Sequence, residues 1–215
     1  MLDEKSDFDV SGLIIEPLSE NSVLASSVLF FQSFANKFNK LKFSSKAEQQ
    51  SLFNELWKLH FIEQSEQQFV ASYKGEIIAA FGICMATDKP VTNLNFASSA
   101  LKLSRQFGLL KTIKATWICS LFNHSPDDHE AYISYIGVSN QFQGKGIGKY
   151  ILRWIMEYIS KNNNIDYISL YVAQNNTGAK KLYENLGFTV DKYEKSLITQ
   201  LSMNVNSWFY MKYVF

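Results

Sequence analysis

The sequence predicts an α/β domain built on a mixed β-sheet flanked by helices. Three observations point to it. Two apolar, β-rich runs, AYISYIGV (131–138) and DYISLYVA (166–173), are separated by a single helical pattern, the arrangement of a parallel strand pair with a crossover helix. Two further runs, FVASYK and EIIAAFGICMA, meet at Lys74-Gly75, the signature of an antiparallel hairpin. The composition, 47% hydrophobic and 19% charged over 215 residues, is that of a folded domain with a sizeable core.

The elements follow in order. Gly12 to Leu18 reads as a short first strand ending at Pro17. Behind the capping candidates at 19–21, Leu24, Val28, Phe31, Phe34, Ala35 and Phe38 recur at helical spacing. A second helix follows Ser44 or Ser45, carries Leu52, Leu56 and Leu59, and ends near Phe61. After the hairpin, residues 94–122 read as two helices broken at Gly108. The whole stretch 87–128 is taken as a helical insertion, because it has too few apolar residues for a core of its own. Asn162–Asn164 ends the helix behind the 131–138 strand. NNTGAKKLYENLGF then gives a polar turn, a short helix and a stop at Gly187. VDKYEK and WFYMKYVF read as closing strands, joined by a polar loop at 199–206. Residues 1–11 are polar and expected to be mobile, leaving 12–215 as a single domain.

Composition also excludes. A formal net charge of +1 argues against nucleic-acid binding by bulk electrostatics, and Lys37, Lys40 and Lys42 are too scattered for a phosphate-backbone patch. Cys84 and Cys119 lie in apolar stretches without CxxC or Cys/His spacing, so neither a metal nor a redox pair is expected. The acidic N-terminus has no signal-peptide pattern, and no apolar run reaches the ~18 residues of a spanning helix. The expectation is a cytoplasmic protein with no membrane and no nucleic-acid partner.

The most informative stretch is VSNQFQGKGIG (138–148) between strand and helix. Gly144, Gly146 and Gly148 free the backbone to turn its N–H groups to one side, and the helix start adds partial positive charge. Such a loop suits a phosphate. A dinucleotide fold would put a carboxylate at the end of the next strand, yet Val172-Ala173-Gln174 has none. A P-loop needs Ser or Thr after its lysine, yet Lys145 is followed by Gly146.

Two motifs carry a resemblance. Gln141-x-x-Gly144-x-Gly146 and Gln143-x-x-Gly146-x-Gly148 both match the Q/R-x-x-G-x-G/A signature, and Asn176, Ala179, Leu182, Tyr183, Gly187 and Phe188 match N-x-x-A-x-x-L-Y-x-x-x-G-F. In both the chain resembles the GCN5-related N-acetyltransferases (GNAT family), over residues 12–215 and least over 87–128. The resemblance implies the acyl-CoA N-acyltransferase fold: a mixed sheet whose two neighbouring parallel strands, here 131–138 and 167–173, splay apart to admit acetyl-CoA. It implies that main-chain groups of Ile136, Gly137 and Val138 pair with the pantetheine arm. The pyrophosphate would rest on Gln143, Gly144, Lys145, Gly146, Ile147 and Gly148. The implied reaction is acetyl transfer to a primary amine by direct attack in a ternary complex. A small-molecule amine is favoured, with a protein acceptor or a non-catalytic acyl-CoA sensor as alternatives.

Amine acetylation needs an acceptor for the amine's proton, donors for the tetrahedral oxyanion and a proton for the leaving thiolate. Tyr183 stands at the family's tyrosine position as the candidate acid, or as a packed helix tyrosine. The Val138 N–H is the candidate oxyanion donor. Asn176 holds the cofactor arm or caps the short helix. The base is left open between Glu130, its neighbour His129 and a water relay. Strict alternation would put Glu130, Tyr132, Ser134, Ile136 and Val138 on one face, and Gly137 is a candidate bulge at the splay. His60 and His124 have no visible partner and read as surface residues. Phe30, Phe31, Phe34 and Phe38 read as core that could extend into the acceptor groove. Tyr150, Trp154 and Tyr158 form a helical stripe suited to packing on the sheet or to a homodimer face.

Overall fold

Seven strands form one mixed sheet in the order β1-β2-β3-β4-β5-β7-β6 in this computed structural model. The described residues are 8–38, 41, 43–63, 66–88 and 94–215 (main chain alone at 35, 36, 62, 63 and 94–97). Residues 1–7, Lys40 and Lys42 lie outside them. The strands are β1 (Leu13–Pro17), β2 (Gln67–Tyr73), β3 (Glu76–Met85), β4 (Glu130–Val138), β5 (Tyr167–Ala173), β6 (Thr189–Lys195) and β7 (Ser207–Val214). The helices are α1 (Val23–Phe34), α2 (Lys46–Glu63), α3 (Leu94–Phe107), α4 (Leu109–Ser120), α5 (Ile147–Ser160), α6 (Thr177–Glu184) and α7 (Leu197–Met203).

Local chemistry explains the connections. Lys74 and Gly75 both take positive φ, 51° and 81°, the geometry that closes a two-residue hairpin between β2 and β3. Gly108, at φ 90°, separates α3 from α4. Gly187, at φ 93°, ends the turn after α6, and the Phe188 N–H returns to the Tyr183 carbonyl at 3.0 Å. β4 and β5 run parallel through the α5 crossover, and every other pair is antiparallel.

Each face of the sheet has its own core. α5 presents Ile147, Ile151, Leu152, Ile155 and Ile159, all buried, to Phe81, Ile133, Ile168, Leu170 and Met211. This is the 3.6-residue periodicity that the sequence displayed. Trp154 meets Phe69 and Phe81 edge-on and stacks on Tyr158, so that stripe packs on the sheet. On the other face, Phe38, Leu52, Phe53, Leu103, Phe107, Ala115 and Ile118 cluster near Ala173, while Val23, Leu29 and Trp57 pack against Val70, Ala80 and Tyr135.

Three expectations change. The β3–β4 register steps from Gly82↔Tyr135 to Ile83↔Ile133, leaving Ser134 as an extra residue on β4. This bulge reverses the alternation. Glu130 and Tyr132 stay on the α1 face, but Ile136 and Val138 pack with the α5 core. Gly137 is therefore not the bulge. A Cβ there would lie 3.0 Å from Ser33 Oγ and 3.1 Å from the Leu29 carbonyl oxygen, so glycine lets α1 approach β4. Residues 197–203 form α7, which takes up most of the loop expected at 199–206, with Ser196 accepting from the Thr199 N–H and Asn204 in the left-handed region. At the N-terminal edge, the Phe8 ring packs on Tyr73 and Phe142, and Val10–Gly12 forms a 3-10 turn.

Candidate active site

β4 and β5 pair only from Glu130↔Tyr167 to Ile133↔Leu170, then β4 continues to Val138 and β5 to Ala173 without pairing. The two strands open into a gap at their carboxyl ends. The Ser139 N–H bonds the Ile78 carbonyl at 2.8 Å, which fixes the hydrogen-bonding parity of the β3–β4 ladder. By that parity Gly137 pairs inward with Ala80, while the N–H and C=O groups of Ile136 and Val138 point away from β3 toward the gap. The Ile136 N–H and C=O and the Val138 N–H form a short free strand edge that an extended ligand can join.

The glycine loop stands at the mouth of this gap. Gly144 and Gly146 take φ of 77° and 85°, conformations that side chains rarely adopt. Gly146 is the N-cap of α5 and supplies no capping side chain, so the first-turn N–H groups, Ile147 and Gly148 among them, are not capped. The Ile147 side chain is buried in the core, which leaves its N–H as its only means of meeting a phosphate. A Cβ on Gly148 would sit 3.3 Å from Leu182, so this glycine serves the contact with α6. Gln143 Nε2 donates to the Val138 carbonyl at 3.0 Å and to Asn140 Oδ1 at 3.1 Å, which ties the loop to the strand end. The Lys145 ammonium rests over the rings of Phe142 (5.2 Å) and Phe8 (5.7 Å). These residues fit a CoA pyrophosphate and pantetheine: open N–H donors, no intruding side chain and a free strand edge.

Tyr183 lies on α6 against the core, its ring 5.9 Å from Phe188. Burial pushes its phenol up to about 12, so it is protonated at neutral pH. Asn176 caps α6, its Oδ1 accepting from the Ala179 N–H at 3.3 Å. Burial pushes the thiols of Cys84 and Cys119 up to about 12 as well, for Cys84 with the help of the carboxylates of Glu66, Asp88 and Glu130. Neither is poised as a thiolate nucleophile.

Glu130 is buried, and four donors converge on its carboxylate. They are His124 Nε2 at 3.0 Å, the Asp127 N–H at 2.9 Å, Tyr210 OH at 2.7 Å and Ser169 Oγ. Burial alone would raise its pKa, but these bonds outweigh it and hold the carboxyl at about 2. A carboxylate so fully donated to is a weak proton acceptor. It also stands eight residues before Val138, about 25 Å of strand. The geometry thus argues against Glu130 as the base and makes it the hub of a polar cluster. His129 turns the other way, its Nδ1 2.9 Å from the Asn164 carbonyl oxygen. The histidines read as unpartnered are both engaged: His124 with Glu130, and His60 with Glu66 at 2.7 Å. Each pair is six residues apart, a spacing with no sequence signature. Among the described residues no group of three or more His, Cys, Asp or Glu could hold a metal.

Beyond β5, a cavity of about 440 Å³ is lined by Gln174, Asn175, Gln200, Asn204, Val205, Asn206 and Ser207. It lies at the same end of the sheet as the gap.

A model of the acetyltransferase (GNAT) family matches residues 31–188, nearly three quarters of the chain. The chain belongs to the GNAT acetyltransferase family. Both motifs of the loop and of α6 lie inside the matched span. Solved GNAT structures share the fold across its length. An Elizabethkingia anophelis GNAT acetyltransferase with acetyl-CoA bound superposes with a TM-score of 0.54 at 16% identity, covering 95% of this chain and 99% of that one. The spermidine/spermine N-acetyltransferase SpeG of Vibrio cholerae gives 0.54 at 16%, covering 95% and 93%. Sequence likeness is more local. The probable N-acetyltransferase san of Drosophila melanogaster is 30% identical over 73 residues, 34% of this chain and 40% of its own length. A mycothiol acetyltransferase of Salinispora arenicola is 39% identical over 64 residues, 30% of this chain and 20% of its own. This GNAT chain thus spans two fifths or less of these relatives' lengths.

Proposed function

We propose that this GNAT protein transfers the acetyl group of acetyl-CoA to a primary amine of a small molecule, by direct attack in a ternary complex. The observation that carries the reading is the gap between β4 and β5, with the Ile136 and Val138 main-chain groups on its edge and the Gly144–Gly146 loop at its mouth. The pantetheine arm of acetyl-CoA pairs with that edge as an added strand, and its pyrophosphate rests on the loop and the start of α5.

The Val138 N–H stabilises the oxyanion of the tetrahedral intermediate, and the protonated Tyr183 hydroxyl supplies the proton that the departing CoA thiolate takes. Both thiols are protonated at neutral pH, which supports direct attack over an acyl-cysteine intermediate. With Glu130 fully hydrogen-bonded and His129 turned away, the amine's proton leaves through water. A small acceptor is supported by the cavity beyond β5, whose volume and amide-rich lining suit a compact polar molecule.

The test is CoA-thiol release from acetyl-CoA with a panel of amino acids, polyamines, aminoglycosides and short peptides. At least one small amine should stimulate release well above background hydrolysis. Tight acetyl-CoA binding with no stimulated release by any member would favour a non-catalytic sensor. Stimulation by peptides alone would favour a protein acceptor.

A further inference from the structure

Lys37 lies on the 3-10 turn Ala35–Phe38 that follows α1. Its ammonium sits over three aromatic rings, 4.5 Å from the centre of Phe34, 4.7 Å from Trp208 and 4.9 Å from Phe122. Ring faces attract a cation but carry no net charge, so they replace only part of the water they exclude. Burial pushes the Lys37 pKa down to about 7, and no carboxylate of the described residues opposes that shift. The three ring faces hold the ammonium without an opposing charge beside it.

Its surroundings place it beside the gap, on the sheet face away from α5. Phe34 stacks on Phe30, which meets Tyr135 of β4 edge-on at 5.5 Å. Trp208 stands opposite Ala173, the last residue of β5. The cage therefore bridges the two strands whose separation forms the gap, on the face away from α5. α7 packs on the same turn, and its Gln200 lines the polar cavity beyond β5.

We propose that Lys37 anchors the acceptor, and that the amine acetylated by this protein carries a carboxylate that pairs with the Lys37 ammonium. The proposal rests on the acetyl-transfer reading above and adds the substrate class to it. A carboxylate would supply the opposite charge that the cage lacks, through a charge-assisted hydrogen bond in a partly dry site. The same ammonium repels a second ammonium, so polyamines are disfavoured and amino-acid-like acceptors selected.

The experiment compares three acceptors of matched chain, 4-aminobutyrate, butylamine and putrescine, in CoA-thiol release. A parallel arm titrates glutarate into the CoA-loaded protein by calorimetry. The wild type should use 4-aminobutyrate with a kcat/KM about tenfold or more above the other two. Lys37→Met should collapse that ratio, chiefly through KM for the acid. Lys37→Arg, which keeps the charge, should retain most of it and guards against a loss caused by misfolding. A preference for the diamine or the neutral amine, a ratio that survives Lys37→Met, or an equal fall in kcat for all three would overturn the proposal. If no amine is turned over, the acetyl-transfer reading fails by itself. Glutarate binding weakened about tenfold by Lys37→Met would then still support the anion anchor, and absence of glutarate binding would overturn it.

Discussion

Gln143 Nε2 donates to the Val138 carbonyl oxygen at 3.0 Å, joining the glycine loop to the last residue of β4. One side chain thus fixes the spacing between the two halves of the proposed acetyl-CoA site. Gln143→Ala should weaken acetyl-CoA about three- to tenfold, the worth of one neutral hydrogen bond. The bond lies on an exposed loop, so the melting temperature should hold. Calorimetric titration beside a thermal melt separates the two effects.

Gly146→Val asks a β-branched residue to take a φ of 85° at the N-cap of α5. The strain is about 1–2 kcal/mol, and the new side chain would crowd the N–H groups of the proposed phosphate site. Acetyl-CoA affinity should fall at least about a hundredfold, with the far-ultraviolet dichroism retained. Undiminished affinity would remove the loop from the binding site.

Tyr183→Phe removes the hydroxyl whose pKa burial raises to about 12. Loss of a general acid costs roughly 10²-fold or more in kcat, while the phenyl ring keeps the packing against Phe188. KM for acetyl-CoA should move by no more than about threefold. An unchanged kcat would leave Tyr183 as a packed helix residue.

Glu130 should register in stability. Its carboxyl ionises at about 2 when folded, against an ordinary 4.5, so the unfolded chain takes up the proton first as the medium is acidified. The depressed pKa contributes stability that is fully present above pH ~5 and is lost as the pH falls toward 2. Glu130→Gln should lower stability at pH 7 by about 2–3 kcal/mol, because one amide cannot accept all four donors. It should also flatten the fall between pH 5 and 2, read from urea melts across that range. A large kcat loss with unchanged stability would restore Glu130 as a base.

Much of the architecture was legible because it rests on local chemistry. Lys74-Gly75 announced its hairpin, Tyr150, Trp154 and Tyr158 a helical stripe suited to packing on the sheet, and Gly144 and Gly146 their turn. The splay was reached through the motifs around Gly146 and Tyr183, not through any periodicity. Ser134 was illegible because a bulge is set by the pairing strand, and that one residue moved Ile136 and Val138 to the opposite face. α7 was hidden because Leu197, Ile198 and Leu201 face solvent while Thr199 and Met203 are buried, the reverse of an amphipathic pattern. Two of the four partners of Glu130, Ser169 and Tyr210, lie 39 and 80 residues away, and only the folded sheet brings them to it.

The central claim is that acetyl-CoA enters the gap between β4 and β5 and lies along Ile136 to Gly148. Amide hydrogen exchange with and without saturating acetyl-CoA measures this most directly, since the Ile136 and Val138 N–H groups and the loop amides are open to exchange until a ligand covers them. Protection should rise across peptides spanning 135–149 and stay constant across the β2–β3 hairpin. Acetyl-CoA binding that leaves 135–149 unprotected would contradict the account.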